Sequence, residues 1–487
     1  MLVLAASIAA LKLLVYVWLA LRGVLHEDAL LYITVGRGIL HGYVPYADLF
    51  ESKPPGIFLL SAASLAIGNS MIMGQIASIV AWAGIPVLLF FHSKSLTQGE
   101  HTVVRQGAIT VFGILLGMYA ASRSGVMQTE SFGAFFALLF VLLFVNRPLG
   151  KLWHSSFLLG LVLLFAVGFK EPFLLSAFAA VLLLEPAWKT ILRKGVFSVL
   201  SAAVSGFFLL FIFGFLKPFF SIYLPVMFQG HIGYFGSPWI LALMLQKTVV
   251  NFWQFSPFFL SIVIFLLAAS AYKTWSTATR NAERMLVVLR YALAMYLTSF
   301  AVGIGGDFYD HHFLFAIPLL AALGVQGTAI LRHARWAQWL TVLLLFGTAA
   351  TAHLPPLRQT TAAWKERRAT LERSAKAIDT VLDRCGVPRY LHLVNRAGGV
   401  TAFTEHSPLG PLFANHNRFL TEGSTVLQQL FAQSVRRADI IVLKNLKEAG
   451  MTDAGKQYLA DRFTASAPPC TGTIPDISPY RLLFRSR

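Results

Sequence analysis

Charged side chains are scarce in this sequence. Asp, Glu, Lys and Arg together make up 13% of its 487 residues, whereas 56% are hydrophobic. A soluble protein carries roughly twice that charged fraction to cover its surface. The mean hydropathy is +0.65, and apolar runs near the roughly 20 residues needed to cross a bilayer recur along most of the chain. These features exclude an ordinary soluble protein and predict a polytopic membrane protein.

Acidic residues are outnumbered, because 22 Asp and Glu stand against 40 Lys and Arg, which gives a formal net charge of +18. The sequence nevertheless lacks a continuous basic stripe of the kind that follows a phosphate backbone, so we expect no nucleic acid partner. The basic residues lie in short loops between apolar runs. That pattern indicates the positive-inside bias and attraction to the anionic headgroups of membrane lipids.

Cysteine occurs only twice, as Cys385 and Cys470, both after the last apolar run. The pair fits one disulfide in an external polar domain, and two inert thiols are the alternative. The topology derived below favours the disulfide. A charged segment ahead of the first apolar run is also lacking, so the stretch from Met1 to Leu21 is predicted to be a signal anchor and first span.

Eleven spans are predicted from the apolar runs. The stretch from Pro55 to Ile67 is also apolar, but its length of about 13 residues suits an interfacial or re-entrant helix better than a crossing. The predicted spans cover about 2–21, 70–92, 106–122, 130–146, 154–169, 172–187, 196–216, 252–272, 286–304, 313–331 and 337–353.

The positions of the basic residues decide whether the stretch at 55–67 crosses. If it does not cross, every loop rich in Lys and Arg faces the cytoplasm, as the positive-inside rule requires. The loops 22–69, 123–129, 217–251 and 305–312 then face outside. The basic residues of the predicted inner loops are Lys94, Arg105, Arg147, Lys151, Lys189, Arg193, Lys194, Lys273, Arg280, Arg284, Arg332 and Arg335.

The chain changes character after residue 353, where a charged helical stretch, Trp364–Leu382, precedes the strand-like runs Tyr390–Val394 and Ile440–Leu443. Alternating helix and strand signals predict a small external α/β domain. The predicted fold class is an α-helical polytopic membrane protein with about eleven spans and interfacial helices in the first external loop. We predict a transmembrane domain over 1–353 and a C-terminal α/β domain over 354–487.

Ionisable residues are concentrated in the first external loop. Glu27 and Asp28 open a helix-like stretch, where they either cap the helix or take part in chemistry. Lys53 precedes two prolines that fix the backbone, so its ammonium is either a phosphate ligand or a snorkelling lysine. Ionisable groups at membrane depth are costly and usually functional. The set in this loop is Glu27, Asp28, Asp48, Glu51 and Lys53.

Three further polar features fall on the same predicted side. Glu130 lies at the entry to a span, and Lys170-Glu171-Pro172 forms a turn in which a local ion pair is the expected interaction. The third feature is the segment from Asp307 to His312. Its paired histidines and two aspartates indicate a metal site, a polar lining for a substrate, or a titratable surface loop.

The first loop resembles that of GT-C glycosyltransferases, close to the bacterial members of the protein O-mannosyltransferase and aminoarabinose transferase superfamily. The resemblance is carried by Asp28, Tyr32, Gly42, Pro45-Tyr46, Asp48 and Lys53-Pro54-Pro55, and further along by Glu130, Lys170-Glu171-Pro172 and residues 306–312. Where family members often have Asp-Glu, this chain has Asp28 followed by Ala29. It also has Asp307 and Asp310 where arginine and proline are common.

The resemblance implies a hexosyl- or pentosyltransferase that moves a sugar from a polyprenyl-phosphate donor to a lipid, glycan or protein acceptor. The reaction would take place on the external face of the bacterial inner (plasma) membrane, with inversion. Asp28 is expected to be the base, with Glu27 or Glu130 as the alternative. Lys53 is expected to hold the leaving phosphate, supported by His311 or His312. The other substrate-binding residues expected from the resemblance are Tyr32, Tyr46, Asp48, Glu51 and Tyr309.

Two alternatives stay open at this point. No cofactor is required by the chemistry, and a divalent metal such as Mg²⁺ or Mn²⁺ is an option. A transporter or flippase of lipid-linked glycans is the competing function. It would need ionisable residues or broken helices near the middle of the bilayer, whereas the charged positions found here cluster at predicted span ends.

Overall fold

The computed structural model describes residues 1–25, 27–68, 71–96, 102–146, 152–231, 239–304, 308–332, 334–354, 357–387, 390–393, 399–411, 425–443, 453–466, 470, 477 and 480–486. The chain forms two compact units. Unit 1 comprises residues 1–24, 75–207 and 234–357, and unit 2 comprises residues 25–74, 208–233 and 358–487.

Helices account for most of the described chain. They are α1 (Leu2–Leu21), α2 (Glu27–Leu40), α3 (Pro55–Ala66), α4 (Ile72–Leu96), α5 (Thr102–Ser124), α6 (Thr129–Asn146), α7 (Leu152–Phe169), α8 (Phe173–Leu184), α9 (Trp188–Ile212), α10 (Leu224–His231), α11 (Trp239–Phe255), α12 (Pro257–Thr277), α13 (Asn281–Gly303), α14 (Ile317–Gly327), α15 (Arg335–Thr351), α16 (Leu357–Arg384), α17 (Thr425–Arg437) and α18 (Asp453–Ala460). Shorter helical turns cover Leu216–Pro218, Phe219–Tyr223, Asp310–Ala316, Thr328–Arg332 and Gly399–Ala402.

Eight of the described helical segments are long and apolar enough to cross a membrane. The chain is therefore a multi-pass helical membrane protein. The eight segments are Leu2–Leu21, Ile72–Lys94, Val103–Ser124, Thr129–Asn146, Trp188–Ile212, Pro257–Thr277, Asn281–Gly303 and Asp310–Leu331.

The other three predicted spans, 154–169, 172–187 and 337–353, fall on α7, α8 and α15. The apolar helical stretches Ser155–Phe169 and Phe173–Leu184 are shorter than a full crossing, and α15 has 17 residues. Crossing by these three helices stays a prediction. The short stretch at 55–67 forms α3, which has 12 residues and is too short to cross a bilayer unaided.

One predicted span is interrupted by a helix break. The run at 252–272 was expected to be continuous, but α11 ends at Phe255 and α12 begins at Pro257. The break has a local cause, because Pro257 occupies the first turn of α12 and the Ser256 hydroxyl accepts a hydrogen bond from the Phe259 amide. The span therefore begins at Pro257.

Small residues let the helices of unit 1 approach closely. A Cβ atom at Gly117 of α5 would overlap the Trp82 carbonyl of α4, and one at Gly133 of α6 would overlap the ring of Phe173 of α8. The Trp82 indole also donates a hydrogen bond of 3.0 Å to Ser131 Oγ at the start of α6. Close backbone approach and polar contacts between helices are the usual means of association for membrane helices.

Unit 2 contains a six-stranded sheet in the order β1-β3-β2-β4-β6-β5. The first four strands in that order are parallel, and β6 is antiparallel to both β4 and β5. Helix α17 contacts β3 and supplies the buried side chain of Val435 to the sheet core. The strands are β1 (Leu49–Phe50), β2 (Tyr390–Leu393), β3 (Pro408–Pro411), β4 (Ile440–Leu443), β5 (Phe463–Thr464) and β6 (Arg481–Arg485).

The sheet joins two distant parts of the sequence, because β1 comes from the predicted first external loop and pairs with β3. Helix α2 of the same loop is also bonded to the C-terminal chain. Thr34 Oγ1 lies 2.8 Å from Thr401 Oγ1, and the Arg37 guanidinium donates to the carbonyls of Ala402 and Thr404. Residues 25–74 thus fold with the C-terminal segment in unit 2. The predicted division at residue 354 lies close to a junction between the units, at 357/358.

Cys385 and Cys470 are paired in a disulfide, with their Cα atoms 5.1 Å apart. The bond ties the chain just after α16 to the segment before β6. The two cysteines are 85 residues apart in sequence, so the closed loop includes β2, β3, β4 and β5.

Replacing Cys385 and Cys470 with serine should destabilise unit 2. Closing an 85-residue loop removes denatured-state entropy worth at most about 4–5 kcal/mol. Hydrogen exchange of the β2 and β4 amides, measured with and without reductant, would check this. Reductant should speed exchange in the wild type and leave the double serine variant unchanged. Equal exchange in the wild type with and without reductant would contradict the expectation.

His392 lies in the middle of β2 with 2% of its side chain exposed, and neither ring nitrogen has a hydrogen-bond partner among the described residues. Burial lowers the pKa of His392 from 6.5 to about 3, because the charged imidazolium loses its hydration. Between these two pH values the unfolded chain binds more protons than the folded unit. The stability of unit 2 should therefore be complete above pH 6.5 and fall as the pH drops below it.

The expected loss is about 2 kcal/mol at pH 5 relative to pH 8. The free energy of opening at β4, obtained from hydrogen exchange after correction for the intrinsic pH effect, would measure it. His392→Phe keeps a ring in the same place and should flatten this pH dependence. An unchanged slope in the variant would assign the effect to other groups.

Candidate functional site

Glu130 lies at the first turn of α6 in unit 1, and its side chain is completely buried. The turn ahead of it is tight, with Gly125 and Met127 both at positive φ, and the Met127 amide donates to Ser78 Oγ at 2.9 Å. The Thr129 hydroxyl donates to Glu130 Oε2 at 2.9 Å. A carboxylate at a helix N-terminus is favoured by the helix dipole. Glu130 is therefore placed at the positive end of the α6 helix dipole, at one end of a candidate span.

Lys170 supplies the nearest positive charge. It follows the end of α7, where Pro172 leads into α8, and 8% of the residue is exposed. Its ammonium Nζ lies 3.8 Å from Glu130 Oε1. Lys170 thus pairs across helices, because the break between α7 and α8 directs the lysine towards the start of α6. The expected local pairing with Glu171 stays a prediction.

His311 and His312 lie on the helical turn that precedes α14, and both are buried. His311 Nε2 lies 3.9 Å from Glu130 Oε1. The two imidazole rings are 4.7 Å apart and perpendicular, and the ring of Tyr309 stacks on His311 at 5.6 Å. Tyr309 itself is 55% exposed, so it covers the outer side of this pair.

The Glu130 cluster, defined as Glu130, Lys170, His311 and His312, sets one carboxylate against three nitrogen groups. A buried carboxylate is tolerated where it is paired with cations or hydrogen-bond donors. The cluster can accept a proton at the carboxylate, donate hydrogen bonds to an anion from the lysine and imidazoles, or coordinate a metal ion. These capacities distinguish it from an inert ion pair.

Asp310, which precedes the two histidines, contacts Arg123 and Asn251 on two other helices. Asp310 Oδ1 accepts from Asn251 Nδ2 at 3.1 Å, and Asp310 Oδ2 lies 3.4 Å from Arg123 Nη1. Asn251 Oδ1 in turn accepts from the Tyr119 hydroxyl at 2.6 Å. The predicted grouping of both histidines with two aspartates is therefore wrong at Asp310, since its carboxylate holds α5 and α11 together. Asp307 lies outside the described residues.

The first-loop residues belong to unit 2. Asp28 is half-buried on the first turn of α2, and Tyr32 is completely buried one turn further on, with its ring 6.3 Å from that of Phe58. Glu51 is 1% and Lys53 9% exposed. The side chain of Glu27 lies outside the described residues. Burial of an acid and a lysine two positions apart agrees with the expectation that this loop carries more than surface charge.

Tyr46 and Asp48 shape the loop between α2 and α3. Tyr46 adopts a positive φ of 72°, is fully buried, and donates its hydroxyl hydrogen to the Lys53 carbonyl at 2.8 Å. Asp48 accepts from the Val44 amide at 3.0 Å and lies 3.1 Å from Arg437. Tyr46 thus holds the backbone at Lys53 and Asp48 holds the turn at Val44, and their predicted contact with substrate stays a prediction.

An apolar groove of about 490 Å³ lies between α12 and α13. It is lined by Leu267, Ala271, Tyr272, Trp275, Val287, Val288, Tyr291, Ala292 and Met295. None of the predicted site residues lines it.

Sequence patterns identified Glu130, His311 and His312 as candidate site residues. They assigned the fourth member, Lys170, only a local ion pair. Lys170 could have been recognised from its place between two apolar runs with a proline two positions later. Asn251 and Tyr119 gave no signal, because single polar residues inside apolar helices are usually structural. The cluster therefore depends on which helix ends meet.

No protein-family model matches this chain, and no curated protein matches it. The fold and the site together define a polytopic helical membrane protein with a buried, mixed-charge cluster at helix ends.

Lys170→Met should destabilise unit 1 by about 3–5 kcal/mol, because removal of one partner leaves a buried carboxylate uncompensated. The loss should be smaller in Lys170→Met combined with Glu130→Gln, since the second change removes the charge left behind. Thermal unfolding of the detergent-purified protein would measure this double-mutant cycle. Lys217→Met, at an exposed lysine, is the control. Strictly additive losses would show that the pair does not interact.

Proposed function

We propose that this protein is a glycosyltransferase of the GT-C type that uses a polyprenyl-phosphate-linked sugar as donor. The acceptor is a lipid, glycan or protein. The observation that supports the proposal most is the Glu130 cluster, in which a buried carboxylate faces Lys170 and two imidazoles at the ends of candidate membrane spans. A donor with a lipid tail cannot leave the bilayer, so its phosphate must react at the level of the headgroups.

The reaction needs a base and a phosphate-binding group. The acceptor oxygen or nitrogen attacks the anomeric carbon, the bond from that carbon to the phosphate oxygen breaks, and the electron pair stays on the phosphate. The acceptor proton passes to a carboxylate, for which Asp28 is our first assignment and Glu130 or Glu27 the alternative. Lys53 binds the departing phosphate. Direct displacement inverts the anomeric centre and forms no covalent intermediate.

The proposal includes a finer topology. Eleven spans place loop 22–69, the start of α6 and residues 354–487 outside the bacterial inner membrane, with residues 354–487 as an external α/β domain. The distribution of Lys and Arg supports this orientation, since every basic-rich loop then faces the cytoplasm. The disulfide agrees with it, because such bonds persist outside the cytoplasm.

A transporter or flippase for lipid-linked glycans is the second candidate, and one observation favours it. The helical path is interrupted at Lys170–Pro172 and, in the segment before α14, by the turn Asp310–Ala316. Broken helices next to ionisable side chains are typical of transporter binding sites. The two functions differ in outcome, since a transporter moves its substrate unchanged whereas a transferase releases polyprenyl phosphate.

Membranes that contain the protein, incubated with labelled polyprenyl-phosphate sugars, should release free polyprenyl phosphate and label an acceptor. Asp28→Asn should lower the rate by about 10²–10⁴-fold, the usual contribution of a general base. Lys53→Ala should lower it by about 10²-fold or more, through the lost stabilisation of the phosphate. Asp439→Asn and Lys217→Ala change exposed residues and should retain activity.

Two outcomes would contradict the proposal at different levels. Full activity in both Asp28→Asn and Lys53→Ala would contradict the roles assigned to these two residues, but it would not contradict the proposed reaction. Donors that wild-type membranes carry across the bilayer without consuming them would favour the transporter.

A further inference from the structure

We infer that Glu130, His311 and His312 form a binding site for one divalent metal ion of the zinc type. Each side chain offers one ligand atom, a carboxylate oxygen or an imidazole nitrogen, and the three atoms lie within 4.8 Å of one another. The exposures are 0%, 8% and 9%. Three ligands that converge below the surface need little movement to close on an ion.

The donor set distinguishes among metals. Two imidazoles and one carboxylate form the open three-ligand arrangement of catalytic zinc sites, in which a fourth position is left for water or substrate. Mg²⁺ prefers oxygen ligands and keeps several waters, so a nitrogen-rich set does not suit it. The site therefore fits Zn²⁺, or Co²⁺ as its spectroscopic substitute, better than the Mg²⁺ considered from the sequence.

Lys170 competes with the ion for the Glu130 carboxylate. Its ammonium lies 3.8 Å from Glu130 Oε1, and His311 Nε2 lies 3.9 Å from the same oxygen. An ammonium and a metal ion at one carboxylate oxygen repel each other. The ion and Lys170 consequently compete for Glu130, and metal binding turns the lysine away from the carboxylate.

The competition gives the ion a role that rests on the proposed function. When the ion holds Glu130, both the ion and the released Lys170 ammonium are available to one phosphate group. Lewis-acid stabilisation of a departing phosphate is a usual task of bound metal ions. The Glu130 cluster would then bind the donor phosphate, and Glu130 would not be the base.

The test uses full-length protein purified in detergent through a tag without histidine. After incubation with Zn²⁺ and desalting, elemental analysis should find about one ion per chain. Co²⁺ should give the intense visible absorption of a four-coordinate site. Glu130→Gln and His312→Ala should each lower the affinity for Zn²⁺ by at least about 10-fold. Loss of a residue that only orients a metal ligand already costs about 10-fold or more, and these two residues are proposed as ligands themselves.

The affinity of Lys170→Met for Zn²⁺ distinguishes a metal site from a cluster with only a structural role. Without the competing ammonium, the affinity for Zn²⁺ should rise by about 10-fold or more. His353→Ala, at an exposed histidine, and Glu185→Gln should bind as the wild type does. Because Lys170→Met gains affinity, a general loss of folding cannot imitate its effect.

Less than about 0.1 ion per chain in the wild type, or unchanged affinity in Glu130→Gln and His312→Ala, would overturn the inference. If those two variants fail to fold, the Co²⁺ spectrum of the wild type and the response of Lys170→Met still decide it. Sugar transfer by metal-free protein would end the metal site's catalytic role and leave the proposed function standing. Metal binding without any sugar transfer would contradict the proposed function but would still support the metal site.

Discussion

In hydrocarbon no water can bond to the backbone, so each crossing segment must satisfy its own peptide groups, which a helix does. The consequence for this chain is a set of long apolar helices whose interruptions are few and carry polar residues. At Lys170–Pro172 and at Asp310–Ala316 the regular helix stops, and Lys170, His311 and His312 on these breaks are buried. Irregular backbone of this kind is tolerated where it is buried in protein. The breaks therefore create the position in which a functional cluster can form.

Once Glu130 is buried, its charge controls its surroundings. Lys170 and His311 approach the same carboxylate oxygen from two different helix breaks. The neighbouring Arg123, Asp310 and Asn251 form a second network that fixes the turn on which the histidines lie. Such paired charges give weak net stability, because desolvation offsets much of their attraction. Stability alone therefore gives little reason for a buried charge cluster in this unit.

In unit 2, chain segments that are far apart in sequence form one sheet. The two-residue strand β1 pairs with β3, and α2 bonds to the turn at Gly399–Ala402 through Thr34 and Arg37. The loop that carries Lys53 is thereby fixed to the C-terminal segment within the same unit. A site built on this loop would depend on residues several hundred positions away, even though none of them need take part in the reaction.

The sequence alone determined the membrane class, the long apolar helices and two of the six described strands of unit 2, β2 and β4, because hydropathy and periodicity act over short distances. It also determined that 55–67 forms a helix too short to cross, and it identified Glu130, His311 and Lys53 as polar groups in an apolar setting. It missed β1, β3, β5 and β6, of which β1 and β5 have only two residues each and carry no periodic signal. It did not predict that Lys170 meets Glu130 or that Asp310 meets Asn251 and Arg123. Those partners come from other helices, and only the tertiary structure decides which helix ends meet. Local sequence patterns record what a residue prefers to be near, whereas packing decides which of the available groups it reaches.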